Sequence, residues 1–562
     1  MSNRIFDFHY HLLFKHQVTD QKNISIPVET KGITSLFDDL MGGAFSSQSS
    51  PSQVGQSNLH MGVIALISVE YAFANRIFHV LGIDLSKKLL GILDEDLFNR
   101  VREGKTTYFN EFNKQVDQYL DPTEKEKIRA CANIQYLYRS DFPRDIYDDK
   151  EKIRAKLEAD GTARYMAFSI EGGHNLSNTP VHQGITSTNP ELQLKQIQDE
   201  NRLDFMFMNL CHLSEIPEQS LGGFAQGANN FSQIAFSSED FMPKTGLGIT
   251  EPGKRVIIQA LTHKERPLLI DVKHMSLYTR LQYYRLKEKL AIDHPDTARL
   301  PIVSSHSGFT FIPVADYVGE KGFRSRTYQD SKTAQTICEV QPLNRNIGTT
   351  NDKRNNDLWC NPWTINLFDD EIATIMESRG MIGISLDQRI LGAAKMIKDG
   401  KRKQYFEEEN VPEQEWKKLF RDGQLPGAEG LLDIFGYPSR PERHIMLFCL
   451  HIIHAVKVGY THLAWVGDAS PWDHICIGSD FDGLINPING MDNIVRLNSL
   501  GDELLKYLPI ADSYYGLNNK TSALPKTKDG PIDIPALQTC IDKFLYKNGQ
   551  DFMIRFLSNW YL

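Results

Sequence analysis

No stretch of the chain reaches the ~18 uninterrupted apolar residues that a membrane-spanning helix needs. The opening MSNRIFDFHYHLLF lacks the basic start, long apolar run and small-residue cleavage site of a secretory leader. Cysteine is sparse, with seven thiols (Cys131, Cys211, Cys338, Cys360, Cys449, Cys476 and Cys540), odd in number, scattered and never spaced as CxxC. That pattern argues against a disulfide framework and against a structural zinc knuckle. Strongly basic runs are also missing: 62 Lys and Arg stand against 71 Asp and Glu, a formal charge of -9, which disfavours nucleic acid or an anionic membrane as the main partner. The expectation is a cytoplasmic protein acting on a small molecule, with no nucleic-acid or membrane partner and with homo-oligomerisation left open. No repeat at a fixed period and no linker-like boundary is visible, so residues 1–562 are read as one domain.

What is present is a series of eight short apolar runs, each stopped by polar residues or glycine. They are Arg4–His11, Met61–Ser68, Arg164–Glu171, Asp204–His212, Pro267–His274, Pro301–His306, Met381–Leu386 and His474–Asp480. Between them lie amphipathic stretches such as Ser276–Ile292 and Phe368–Ser378, whose apolar residues recur at helical spacing. Strand and helix alternating in this way predict an α/β fold, a (β/α)8 TIM barrel with long loop and helical insertions. A doubly wound open sheet would explain the alternation equally well. It would not explain why six of the eight runs end in His, Glu or Asp, at the carboxyl end where barrels build their sites. Insertions are expected around residues 42–59, 73–160, 309–366 and 387–470: the first, rich in Gly, Ser and Gln, as a mobile loop near the mouth, the second as a mostly helical excursion.

His9 and His11 lie two apart, so on a strand both imidazoles share a face and can grip one divalent ion. Glu171 follows the third run in SIEGGHN, with two glycines that let the backbone turn tightly, and a carboxylate can give one oxygen to each of two ions. His274 in LLIDVKHMS and His306 in PIVSSHSG offer two neutral imidazoles for a second ion, and Asp480 in IGSDFDG ends the eighth run, beside the first in a closed barrel. Each has a plain alternative: His274 as a core histidine bonded to a carbonyl, Asp480 as a turn or cap residue, Glu171 as a surface carboxylate. Together they put ligand-type side chains at the ends of the first, third, fifth, sixth and eighth runs, and a metal site is the better reading.

The ordered set IEGGH, Leu210 to His212, GLGITEPGKRVI, LIDVKHMS, PIVSSHSG, PLNRNI, DDEI with MIGISLD, and IGSDFDG resembles the membrane (renal) dipeptidase family of zinc peptidases, in the amidohydrolase-like superfamily. The resemblance runs from Ile5 to about Gly483. It implies two divalent ions, zinc in that family, with Glu171 bridging, His9, His11 and Asp480 around one ion, and His274 and His306 on the other. It also implies that His212 contacts the substrate and stabilises the oxyanion, and that Arg345 in PLNRNI meets the substrate carboxylate. One departure stands out: the family shows HxD on its first strand where this chain has His11, which raises the positive charge of the site by about one unit.

The expected activity is a binuclear metallopeptidase cleaving a dipeptide amide bond by metal-activated hydroxide, with Glu171, His212 and Asp480 as catalytic residues and Asp480 carrying a proton to the leaving amine. Alternatives are an amidohydrolase for another amide, a lactone or an acyl amino acid, and a non-catalytic barrel scaffold. The tyrosines Tyr278, Tyr283 and Tyr284 and the pair His451 and His454 are read as packing residues, and His174 as a neighbour of the site.

Overall fold

The computed structural model describes residues 4–30, 45–79, 93–181, 189–214, 221–225, 248–318, 323–329, 336–342, 361, 363–392, 397–399, 402–404, 409–412, 440–515 and 522–562. Its frame is eight parallel strands: β1 (Ile5–Tyr10), β2 (Leu59–Leu66), β3 (Arg164–Ile170), β4 (Phe205–Asn209), β5 (Leu269–Asp271), β6 (Val303–Ser307), β7 (Met381–Ile384) and β8 (Ile475–Ile477). Each pairs with the next, and β8 returns to β1 with Asp7 opposite Ile477, so the sheet closes. This is the (β/α)8 barrel that the alternation predicts. Every residue of β1 is buried, as a strand covered on both faces requires. Phe6 and Phe8 share one face of β1; Phe8 meets Phe207 of β4 at 5.1 Å and Phe552 of the C-terminal helix Asn548–Leu557 at 5.4 Å between ring centroids. Asp7 and His9 take the alternate positions.

The strands are shorter than the apolar runs suggest. His212, His274 and Asp480 each lie three residues beyond the last paired residue, in the turns that leave the barrel. A further strand, Ile134–Tyr136, pairs with the first residues of β3, Arg164 to Met166, while β4 takes Phe168 to Ile170.

The helices that follow the strands are locally well specified. Leu277–Asp293, after β5, is capped by Ser276, whose side chain accepts from the Thr279 amide, and Glu251–Thr262 is capped by Thr250, with Pro252 in its first turn. Arg280 and Glu371 join Leu277–Asp293 to the helix Asp369–Glu377, with Nε to Oε1 at 2.6 Å and Nη2 to Oε2 at 2.8 Å, both side chains 1% exposed.

Two insertions are more ordered than a connecting loop. Within 42–59, expected as mobile, Pro51–Gln56 is a helix with Ser50 and Gln53 forming a capping box. Gln48 and Ser49 ahead of it donate their backbone amides to Asp482 at 2.7 and 3.1 Å, so the polar composition serves a buried network near the barrel mouth. The described residues of 73–160 are mostly helical, with Glu95–Arg102, Tyr108–Leu120, Pro122–Ala132 and Lys150–Glu158. Strands from the other two insertions meet: Thr336–Pro342 pairs antiparallel with both Phe323–Gln329 and Glu409–Pro412. The helix Arg440–His462 contains a segment, His444–His462, long and apolar enough by composition to cross a membrane, but 83% of that window is buried inside the protein, as in a core helix.

Candidate metal centre

Six side chains from different parts of the chain converge at the carboxyl end of the barrel. His9 lies on β1, with His11 immediately after it; Glu171 follows β3, His274 follows β5, His306 is in β6 and Asp480 follows β8. Glu171 is at the centre. Its Oε2 lies 3.0 Å from His11 Nε2, and its Oε1 lies 3.3 Å from His9 Nε2, 3.5 Å from His274 Nε2 and 3.8 Å from His306 Nε2. Asp480 Oδ1 is 3.7 Å from both His9 and His11, and its Oδ2 is 3.9 Å from His306. The Nε2 atoms of His274 and His306 stand 3.1 Å apart.

Local backbone geometry builds this convergence. Gly172 has φ 88°, and a Cβ there would fall 2.4 Å from the His174 ring, so glycine lets the chain turn under Glu171. His274 (φ 68°) and Asp480 (φ 62°) adopt left-handed backbone without being glycine, a strain that clusters at functional sites. Barrel closure is fixed by Asp7, which accepts from the backbone amide of Ser479 at 2.9 Å and from its hydroxyl. Burial raises the Asp7 pKa to about 6, although these bonds oppose the shift.

The donor set fits a metal. Among the described residues no hydrogen-bond partner meets the ring nitrogens of His9 and His11, and an ion would meet the Nε2 of each, the nitrogens that face Glu171. His9, His11, Glu171 and Asp480 present one ligand atom each within 4.8 Å of one another. Burial lowers the pKa of His274 to about 3 and that of His306 well below its usual value, which keeps both rings in the neutral, ligating form. Burial raises the pKa of Glu171, but the imidazoles of His9, His212 and His11 outweigh it and hold the carboxylate ionised.

His212 stands apart from the other imidazoles. It is the most open of them, with a side-chain exposure of 12% against 6% or less for the rest, and its Nε2 is 3.6 Å from Glu171 Oε1. Glu171, His212 and His274 form a second metal-capable group, so His212 competes with His306 for the role of ligand. Burial lowers its pKa, but the carboxylates of Glu171 and Glu70 raise it further, which favours the protonated ring.

The sequence reading missed four supporting residues. Glu70, just past β2, accepts from Nδ1 of His212, from the Ser214 hydroxyl and, at 3.3 Å, from the Leu213 amide. Asp271 accepts from Asn209 Nδ2 (2.8 Å) and from the amides of Lys273 (3.0 Å) and Ser305 (3.1 Å). Asp7 was visible as the first acid of DFHYH, and Lys273 as the residue before His274. Of the remaining candidates, Arg345 lies outside the described residues. His174 bonds the Ser68 carbonyl at 3.0 Å. His451 and His454 are held away from the site, His454 by Tyr515 (2.7 Å) and Asp369 (2.8 Å).

Residues 356–510 match the family model described as membrane dipeptidase, peptidase family M19, the family that the motifs resemble. The matched segment contains Asp480; the histidines and Glu171 lie upstream of it. Among solved structures the chain is similar to dipeptidase AC, a metallo peptidase of family M19 (12% identity, 99% of this chain and 98% of that one, TM-score 0.46). It is also similar to a metallo peptidase from Rhodobacter sphaeroides liganded with a phosphinate mimic of L-Ala-D-Ala (12% identity, 99% and 98% covered, TM-score 0.43). A third is the probable dipeptidase PvdM from Pseudomonas aeruginosa (13% identity, 99% and 95% covered, TM-score 0.45). No curated protein matches the sequence.

Proposed function

We propose that this chain, a metal-dependent hydrolase of the membrane dipeptidase family, cleaves the amide bond of a dipeptide using two divalent ions, zinc in the first instance. The observation that carries the binuclear reading is the position of Glu171, which belongs to two metal-capable groups at once, its Oε2 toward His11 and its Oε1 toward His9 and His274. His9, His11, Glu171 and Asp480 would hold one ion, and Glu171, His274 and His306 the other. When bound, such ions polarise a carbonyl and lower the pKa of water at the site.

The chain's own groups supply the rest. Asp480 has its pKa raised by burial, against the pull of the nearby His11 imidazole, which suits a carboxylate that takes a proton from the attacking water and passes it to the leaving amine. His212, charged and facing the cavity, donates toward the oxyanion that develops on the scissile carbonyl, a contribution of about 3 kcal/mol for one well-placed donor. Its openness and its bond to Glu70 favour this role over ligation. Arg345 remains the sequence-level candidate for the substrate carboxylate. We assign residues 1–562 to one catalytic unit, supported by the packing of Phe552 near the C-terminus against Phe8 of β1.

Metal analysis of the purified protein, combined with hydrolysis of L,L and L,D dipeptides with and without a chelator, tests the proposal. About two ions per chain and chelator-sensitive cleavage are expected. Two ions without cleavage of any dipeptide would move the assignment to another amide, lactone or acyl amino acid, and a protein that binds no ion would overturn it.

A further inference from the structure

Strand β6 is irregular where it carries His306. Ser304 pairs with Ile382 and Ser307 with Ile384, so two residues of β6, Ser305 and His306, stand opposite one of β7, Gly383. An extra residue of this kind bends a strand and re-aims its side chains, a device found beside active sites. The sequence makes room for it. A Cβ on Gly383 would fall 1.9 Å from the Ser305 carbonyl oxygen, and so would a Cβ on Gly478, just past β8; glycine at both positions admits the bulged backbone.

On a regular strand neighbouring side chains point to opposite faces. Here they meet: Ser305 Oγ lies 2.7 Å from His306 Nδ1, and both side chains are buried. Asp271 holds the same stretch of backbone, its Oδ1 accepting from the Ser305 amide at 3.1 Å and from the Lys273 amide at 3.0 Å. Lys273 and Ser305 each precede a histidine, so one oxygen fixes the chain beside His274 and His306 together, and their Nε2 atoms face each other at 3.1 Å.

His306 differs here from the other histidines that would ligate. Nδ1 of His9, of His11 and of His274 has no hydrogen-bond partner among the described residues, whereas Nδ1 of His306 meets a hydroxyl. A neutral imidazole that ligates through Nε2 carries its hydrogen on Nδ1, and the group that accepts this hydrogen fixes the tautomer and orientation of the ring. A serine hydroxyl can accept it and a methyl group cannot.

We propose that Ser305 is a positioning residue for the second ion: its hydroxyl accepts the Nδ1 hydrogen of His306, which leaves Nε2 bare and turned toward His274 and Glu171. The proposal rests on the two-ion reading above and adds to it a residue, itself no ligand, that sets the affinity for one ion and not for the other.

The test is a zinc titration of the metal-stripped full chain, read by calorimetry in competition with a chelator, for the wild type, Ser305→Ala and Ser305→Thr. The wild type should bind two ions. Ser305→Ala should bind one of them roughly 10–100-fold more weakly, the usual effect of removing a hydrogen-bond partner behind a metal-bound histidine. Its affinity for the other ion, held by His9, His11, Glu171 and Asp480, should stay at the wild-type value, and Ser305→Thr, which keeps the hydroxyl, should bind both as the wild type does. Wild-type affinities in Ser305→Ala, or a loss shared equally by both ions, would overturn the role of Ser305 while the two-ion reading stands. A wild type that takes up fewer than two ions would overturn that reading and this proposal with it. Neutron diffraction from zinc-loaded wild-type crystals checks the same point without any variant. A hydrogen on His306 Nδ1 directed at Ser305 Oγ is expected, and a Ser305 hydroxyl hydrogen directed at Nδ1 would sink the proposal.

Discussion

Nδ1 of His212 is hydrogen-bonded to Oε1 of Glu70, which leaves its Nε2 facing Glu171 and the cavity. The second oxygen of Glu70 takes the Ser214 hydroxyl, so the carboxylate fixes both the ring and the turn that carries it. The pKa of Glu70, raised by burial but lowered further by His212, falls to about 2, so Glu70 stays ionised and stabilises the protonated imidazole. Glu70→Gln should lower kcat by roughly 10–100-fold, as loss of a group that orients an active-site histidine does, and should weaken the pH dependence set by His212. Metal content should be unchanged. A variant with wild-type kcat would show that His212 needs no carboxylate behind it.

Chelation should destabilise the folded chain. Ions that bind only the native barrel contribute about 2.7 kcal/mol at a free concentration of about 100 times their Kd. Thermal unfolding with and without a chelator should therefore show a lower Tm for the stripped protein, restored by added zinc. Glu171→Gln should respond little to either treatment, because Glu171 is common to both ligand groups. A Tm of Glu171→Gln that rises with zinc as the wild type's does would place the ions elsewhere.

The Arg280 and Glu371 pair supports the site from behind. Arg280 also donates to the carbonyls of Met275 (2.7 Å) and Asn366 (3.2 Å), and Met275 adjoins His274. Arg280→Met would leave Glu371 buried with, among the described residues, Tyr284 (3.0 Å) and the Phe368 amide (3.1 Å) for partners. Loss of one partner of a buried pair costs about 3–5 kcal/mol, readable as a shift in the urea midpoint. Glu371→Gln, which keeps the shape and one of the two acceptor oxygens, should cost less; equal losses would argue that packing rather than charge holds the two helices together.

Acid stability should depend on His451. Burial lowers its pKa from 6.5 to about 3, and its Nδ1 accepts from the Phe309 amide at 3.0 Å. The unfolded chain binds a proton here that the folded chain refuses, so the stability from this group is fully present above about pH 6.5 and declines as the pH falls toward about 3, by about 1.4 kcal/mol per unit. His451→Gln should flatten the fall in unfolding free energy between roughly pH 7 and pH 5, measured by urea titration. A slope as steep as that of the wild type would assign the acid sensitivity to other groups.

The barrel was legible because parallel strands covered on both faces read as short apolar runs, and because ligand-type residues recur at their ends. The spacing of His9 and His11 puts both on one face of a strand, which by itself is weak evidence of a ligand pair. Their partners depended on closure, since Glu171, His274, His306 and Asp480 share no local pattern and meet only in space. Glu70 and Lys273 were hidden for a different reason. SVEYAF and DVKHMS carry no periodicity that separates a buried charge from a solvated one, and only the carboxylate behind His212 and the missing partner of Lys273 reveal their situation. Polar composition suggested a mobile loop at residues 42–59, and in the described part serine and glutamine build a cap and a grip on Asp482.

The bond between Asp7 and Ser479 joins positions 472 residues apart. A ribosome makes His9 and His11 more than 460 residues before Asp480, so during synthesis the two histidines wait without the acid that completes their group. A nascent chain can offer an ion two imidazoles but not the whole cage, and so an ion held by this group would be taken up after the barrel has shut.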